Sequence, residues 1–209
     1  MDTEKLKIYD DNRNPIGVAT RKEVHEKGYW HEAIHCWFVS KIEGVYYIFL
    51  QKRSANKKDY PNLLDITAAG HLLAHETIHD GVREIEEEIG ISISFDELIS
   101  LGVIDYSVMR ADFIDKELAN VFLYESELDL DDFTLQEDEV SGIVRIMFED
   151  FCNLWLGKQD FVKVQGYEID INGKRINVDD RINKEQFVPH ELTYYKSIIN
   201  KISDRIIHK

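Results

Sequence analysis

Between residues 70 and 91 the chain concentrates groups that can do chemistry: Gly70-His-Leu-Leu-Ala-His-Glu76, then Arg83-Glu-Ile-Glu-Glu-Glu-Ile-Gly-Ile91. On a helix, Glu84, Glu87 and Glu88 fall within an arc of about 100°, and Ile78, Val82, Ile85 and Ile89 take the opposite side. Two carboxylates about 4 Å apart repel by roughly 4 kcal/mol at an effective dielectric near 20. Like charges one turn apart also weaken a helix. A hard divalent cation reverses that cost, because Mg²⁺ takes carboxylate oxygens and shares them with phosphates. For three glutamates alone, a solvated acidic helix face is the competing reading.

The flanking residues favour the cation. The stretch resembles the Nudix box: glycine, five residues, glutamate, seven residues, Arg-Glu, an aliphatic, any residue, Glu-Glu, any residue, glycine, an aliphatic. Gly70 and Glu76 match its first part, and Arg83, Glu84, Ile85, Glu87, Glu88, Gly90 and Ile91 match its second. One residue is missing, since Thr77 to Val82 make six positions where the pattern has seven. The resemblance implies an α/β (α+β) fold, the Nudix α/β/α sandwich with a mixed sheet. It also implies Mg²⁺- or Mn²⁺-dependent hydrolysis of a diphosphate linkage in a small molecule, a nucleoside diphosphate derivative or a related organic diphosphate. Glu84, Glu87 and Glu88, with the backbone of Gly70, correspond to the metal ligands. Any of the three glutamates could also take the proton of the attacking water, and Arg83 corresponds to the arginine that orients a glutamate. A further acid often comes from a distant loop in this family, and Glu139, just before a strand-like run, is the candidate. Arg53, at a strand end, and His71, next to Gly70, are candidates for contacting substrate.

A second resemblance runs through Ile16-Gly17, Arg21, Val24-His25, Gly28, His31-Glu-Ala-Ile-His35, Leu50-Gln-Lys-Arg53 and Asp65-Ile-Thr-Ala-Ala-Gly-His71. Together these look like isopentenyl-diphosphate isomerase and its hydrolase-like relatives. The isomerases carry a catalytic cysteine where this chain has Ala69, and their box is degraded where this one keeps Glu87 and Glu88. The resemblance therefore favours a hydrolase over an isomerase-like enzyme. A non-catalytic nucleotide-ligand sensor is the third reading. His31, His35 and Trp37 share one strand face by its period of two. The two histidines are expected to be satisfied core or rim residues, and Cys36, on the opposite face, a small buried hydrophobe.

The 209 residues carry a formal charge of −15 with no offsetting basic stripe, which argues against a nucleic acid polymer as partner. An anionic substrate must be admitted by local Arg, Lys or metal charge. No apolar run reaches the length of a membrane span, and the charged start does not read as a signal peptide. Cys36 and Cys152 stand far apart in apolar settings, which points to free thiols and a cytoplasmic protein.

The elements that must position the box read in order. Residues 6–9 and 15–18 form a hairpin, and Thr20 caps a short helix stopped by Gly28. Residues 31–40 and 45–51 are strands, and 64–68 a further strand into the Gly70 loop. The box helix spans 79–89, with strands at 98–107, 118–124 and 140–147 and a helix at 150–156. A hairpin at 167–176 turns on Asn172-Gly173, a type I′ signal. A terminal helix over 189–207 buries Leu192, Tyr195, Ile198, Ile199, Ile202 and Ile206. Residues 1–209 thus read as one domain, with a core over 1–158 and an extension over 159–209 that could shape the pocket or build a homodimer interface, its apolar helix face fitting intramolecular packing at least as well.

Overall fold

The computed structural model describes residues 3–110 and 113–207. The chain opens with β1 (Lys5–Tyr9), β2 (Pro15–Thr20) and α1 (Arg21–Lys27), then the long strands β3 (Trp30–Ile42) and β4 (Val45–Arg53). The short strands β5 (Leu64–Asp65) and β6 (Ala68–His71) lead to the box helix α2 (Val82–Ile89). Strands β7 (Ile99–Arg110), β8 (Phe113–Ser126) and β9 (Val140–Met147) precede α3 (Phe148–Trp155), and β10 (Val162–Ile169), β11 (Arg175–Ile182) and α4 (Leu192–Ile207) complete the chain.

One sheet runs β11-β10-β9-β4-β3-β1-β2, with β5 on β4, β6 and β8 on β3, and β7 on β8. Among the described residues β3–β8 is the one parallel pairing between two strands, beside an isolated parallel bridge from Leu64 to Phe187, so the sheet is mixed but almost wholly antiparallel. The period of two along β3 divides the molecule into layers. Ile34, Cys36 and Phe38 pack with Ile85 and Ile89 of α2. Trp37 and Val39 pack with Phe151 and Leu154 of α3 and Tyr195, Ile198 and Ile202 of α4. Helices therefore cover both faces, as the α/β/α expectation requires.

Several local expectations hold in detail. The Thr20 hydroxyl accepts from the Glu23 amide, and Gly28 ends α1 with φ 67°. Others are corrected. The strand expected over 64–68 breaks at Ile66-Thr67, because the Thr67 hydroxyl donates to the Phe49 carbonyl and accepts from the Phe38 amide, moving the chain from β4 to β3. The box helix starts later than expected. A 3₁₀ turn, Ile78–Gly81, takes up the contracted stretch, with Asp80 accepting from the Thr77 amide at 2.8 Å. The 162–182 hairpin is longer than read from the sequence, and its turn is not type I′, which needs positive φ at both central residues. Gly173 has φ 74°, whereas Asn172 is not among the positive-φ residues, because Asp170 draws the turn wider by accepting from the amides of Asn172 and Lys174. Leu192 is exposed, since it opens α4 before the helix meets the sheet.

The α3–α4 layer is an aromatic stack, with the rings of Trp155 and Tyr195 3.5 Å apart and nearly parallel. Phe151, fully buried beneath them, touches both. Phe151→Ala is expected to cost about 3–5 kcal/mol in denaturant unfolding, through one cooperative transition. Two separate transitions would mean that the extension folds apart from the sheet.

Candidate active site

Helix α2 lays Ile85 and Ile89 on the sheet and leaves its acidic stripe facing β6. The stripe is held by Arg83. Its Nε and Nη2 grip the Glu76 carboxylate, Nη2 at 2.9 Å, and Nη1 donates to Glu84 at 2.7 Å and to Glu87 at 3.0 Å. Glu76 also accepts from the Leu73 amide at 2.7 Å, which ties the loop to the helix despite the missing residue. A Cβ on Gly70 would stand 2.2 Å from the Glu84 carboxyl carbon, so any side chain there would displace that carboxylate. Glu88 is buried and accepts from the Gln51 side chain and the Ala69 amide, each at 3.1 Å.

Burial, and then the charge of Glu84, push the Glu88 carboxyl up to about 8. Burial also raises Glu84, although Arg83 opposes it. Carboxyls that hold protons this firmly beside one another form a donor set that a divalent cation fits, since the cation replaces the proton and removes the repulsion.

All eight residues singled out from the sequence line one cavity of about 380 Å³: Gly70, His71, Arg83, Glu84, Glu87, Glu88, Arg53 and Glu139. Lys57 bonds the Glu139 carboxylate across from the box. Arg53 donates to Asp65 at 2.8 Å and to the Asp59 carbonyl at 3.0 Å. One wall is thus acidic, and facing it are cations that can neutralise phosphate oxygens.

His25, His71 and Asp115 line a third wall with His31 beside it, a cluster that the sequence showed only as three of the residues resembling the isomerases. Nε2 of His25 and Nε2 of His31 each lie 3.5 Å from Asp115 Oδ1, and all three atoms are buried without a hydrogen-bond partner. With His71 they supply ligand atoms within 4.8 Å of one another, a set able to close around a cation. Burial, then the neighbouring His71, bring His31 down to about 4, so its ring is neutral and its lone pair available. The expectation of a satisfied core His31 therefore holds at Nδ1, which pairs with the Tyr29 carbonyl at 3.1 Å, and fails at Nε2. His35 is satisfied, by the Tyr194 hydroxyl at 2.7 Å and Glu117 at 3.0 Å. Asp115 and Glu117 carry a faint sequence signal, two acids with the spacing of one strand face, but nothing in the sequence places them opposite His31.

No family model matches the chain. It is 38% identical over 204 residues to an uncharacterized Nudix hydrolase of Clostridium acetobutylicum, covering 98% of this chain and 99% of that one. The chain belongs to the Nudix hydrolase family. It is thus a diphosphate hydrolase, an enzyme of small-molecule diphosphates. Nudix hydrolase 3 of Arabidopsis thaliana is 34% identical over 83% of this chain, which spans 22% of that longer protein. A crystal structure from Deinococcus radiodurans shares the fold, with a TM-score of 0.53 at 17% identity over 74% of this chain and 90% of that one. Isopentenyl-diphosphate isomerases are among the chain's relatives, in keeping with the second resemblance.

The Nudix-box geometry makes two predictions. Gly70→Ala should force Glu84 aside and weaken divalent cation binding by an order of magnitude or more, with little change in thermal midpoint, read by calorimetric titration. Because the Glu88 proton must leave, cation affinity should climb with pH up to about 8 and then level off. Titrations at pH 7 in two buffers of different ionisation enthalpy should show proton release, absent in Glu88→Gln. Equal release in that variant would exclude Glu88 as the titrating group.

Proposed function

We propose that this Nudix hydrolase cleaves the diphosphate linkage of a nucleoside diphosphate derivative or related organic diphosphate with Mg²⁺ or Mn²⁺. The observation that carries the reading is the convergence of Glu84, Glu87 and Glu88, Glu139 and the cations Arg53 and Lys57 on one cavity. Glu84, Glu87 and Glu88, with the Gly70 carbonyl, would hold the cation. When bound, that cation supplies charge neutralisation at the diphosphate and acidifies a water. Arg83 keeps Glu84 and Glu87 in place. Arg53 and Lys57 take phosphate oxygens, which draws Lys57 off Glu139 and frees that carboxylate to accept the proton of the attacking water. His71, 3.3 Å from Glu117, stands at the edge of the same space and is assigned to substrate contact.

Ala69 lacks the thiol of the isomerases, and its amide serves Glu88. That observation favours hydrolysis over isomerisation. Among the described residues no helix is long and apolar enough to cross a membrane. Cys36 and Cys152 are free, which supports a cytoplasmic site of action.

With Mg²⁺ and a panel of diphosphates that includes isopentenyl diphosphate, mass analysis should show phosphorus–oxygen cleavage. Glu88→Gln should abolish it, and Glu139→Gln should lower kcat by about 10²–10⁴-fold with KM little changed. Isomerised isopentenyl diphosphate would contradict the Ala69 argument. Ligand binding without turnover would favour the sensor.

A further inference from the structure

The C-terminal extension reaches the cavity through residues 187–190. Val188 donates its amide to the Leu64 carbonyl at 2.8 Å, beside a parallel bridge between Phe187 and Leu64, and the Tyr195 hydroxyl donates to the Val188 carbonyl. This places His190, its side chain 6% exposed, on the cavity wall against β5. Its Nε2 donates to Asp65 Oδ1 at 2.8 Å, and its Nδ1 meets the Tyr106 hydroxyl at 2.7 Å. Asp65 is buried, and its other oxygen accepts from Arg53 Nη1 at 2.8 Å.

We propose that His190 is a positioning residue for substrate binding: by fixing the Asp65 carboxylate it sets the direction in which Arg53 meets the diphosphate. The inference rests on the reading of Arg53 as a phosphate ligand. The Ile66 amide and His190 hold one carboxylate oxygen from two sides, so the other can present itself to Arg53 in a single orientation. Without the imidazole one of the two bonds on Oδ1 is gone, the carboxylate can tilt about the Ile66 amide, and Arg53 Nη1 shifts with it while Nε stays on the Asp59 carbonyl. Sequence gives no hint of this link, because residues 53, 65 and 190 come from three separate segments.

The test is a double-mutant cycle on the full chain. Its probe is methylenediphosphonate, a diphosphate that cannot be hydrolysed at its bridge, bound in the presence of Mg²⁺ and measured by calorimetry. Arg53→Gln and His190→Phe should each weaken binding about tenfold. The double variant should bind no worse than Arg53→Gln alone, and His190→Gln, whose amide can still donate to Asp65, should recover most of the affinity. Weakening by Arg53→Gln with no effect of His190→Phe would overturn the proposal and leave Arg53 as a ligand. Multiplying effects in the double variant would overturn it too, by making His190 a general structural support. No effect of Arg53→Gln, or no binding by the wild type, would remove the underlying reading instead. If His190→Phe gives no cooperative thermal transition, His190→Asn, whose shorter side chain falls short of Asp65, replaces it in the cycle.

Discussion

One guanidinium lets the acidic wall exist before any cation arrives. Arg83 touches Glu76, Glu84 and Glu87 at once, and it also donates to the His71 carbonyl on the strand that carries Gly70. A planar fork suits this task as a lysine would not, since bonds in several directions fix the carboxylates relative to one another. Glu76 carries that order from the helix into the loop. The lost residue therefore changes the loop's path, through a 3₁₀ turn, and leaves the junction between loop and helix intact. Glu88, which Arg83 does not reach, depends instead on the Gln51 side chain and the Ala69 amide. It is also the carboxyl whose proton affinity rises to about 8.

The same constraint explains what was legible. The box acids sit within one helix, so their spacing alone puts them on one face, and Ile85 and Ile89 settle which face meets the sheet. Gly70 was picked out as part of the same short motif, for its backbone, and the Glu84 carboxyl adds what a side chain there would strike. Glu139 lay further off, yet its place just before β9, the neighbour of β4, brings it to the mouth of the box.

The histidine wall was legible only as three residues of the second resemblance, His25, His31 and His71, because no local rule brings them together. His25 comes from α1, His31 from β3, His71 from β6 and Asp115 from β8. They meet through the antiparallel register that sets His71 beside Ala33 and the parallel one that sets His31 beside Glu117. A strand announces which of its residues share a face, and does not announce its partner or register. His190 is the stronger case, since its segment reaches the cavity through a short bridge to β5 that no periodicity foreshadows. The mistaken turn at Asn172-Gly173 has the opposite cause. The local signal was read correctly, and a nearby carboxylate, Asp170, outcompeted it for the backbone amides.

A net charge of −15 repels anions at long range, yet at physiological salt the Debye length is about 8 Å, so distant surface acids weigh little on a bound phosphate. The groups within that range decide. Arg21, Arg53, Lys57 and Arg83 line the cavity, and each is tied to an acid: Arg21 to Glu4, Arg53 to Asp65, Lys57 to Glu139 and Arg83 to the box. Paired charges are held in place at the expense of some of their field. A diphosphate would take the arginine or lysine from such pairs, and Glu84, Glu87 and Glu88 would hold a divalent cation entering with it. The lining still holds more carboxylates than arginines and lysines, so a divalent cation entering with the diphosphate would offset that excess, where an uncompensated buried charge would cost several kcal/mol.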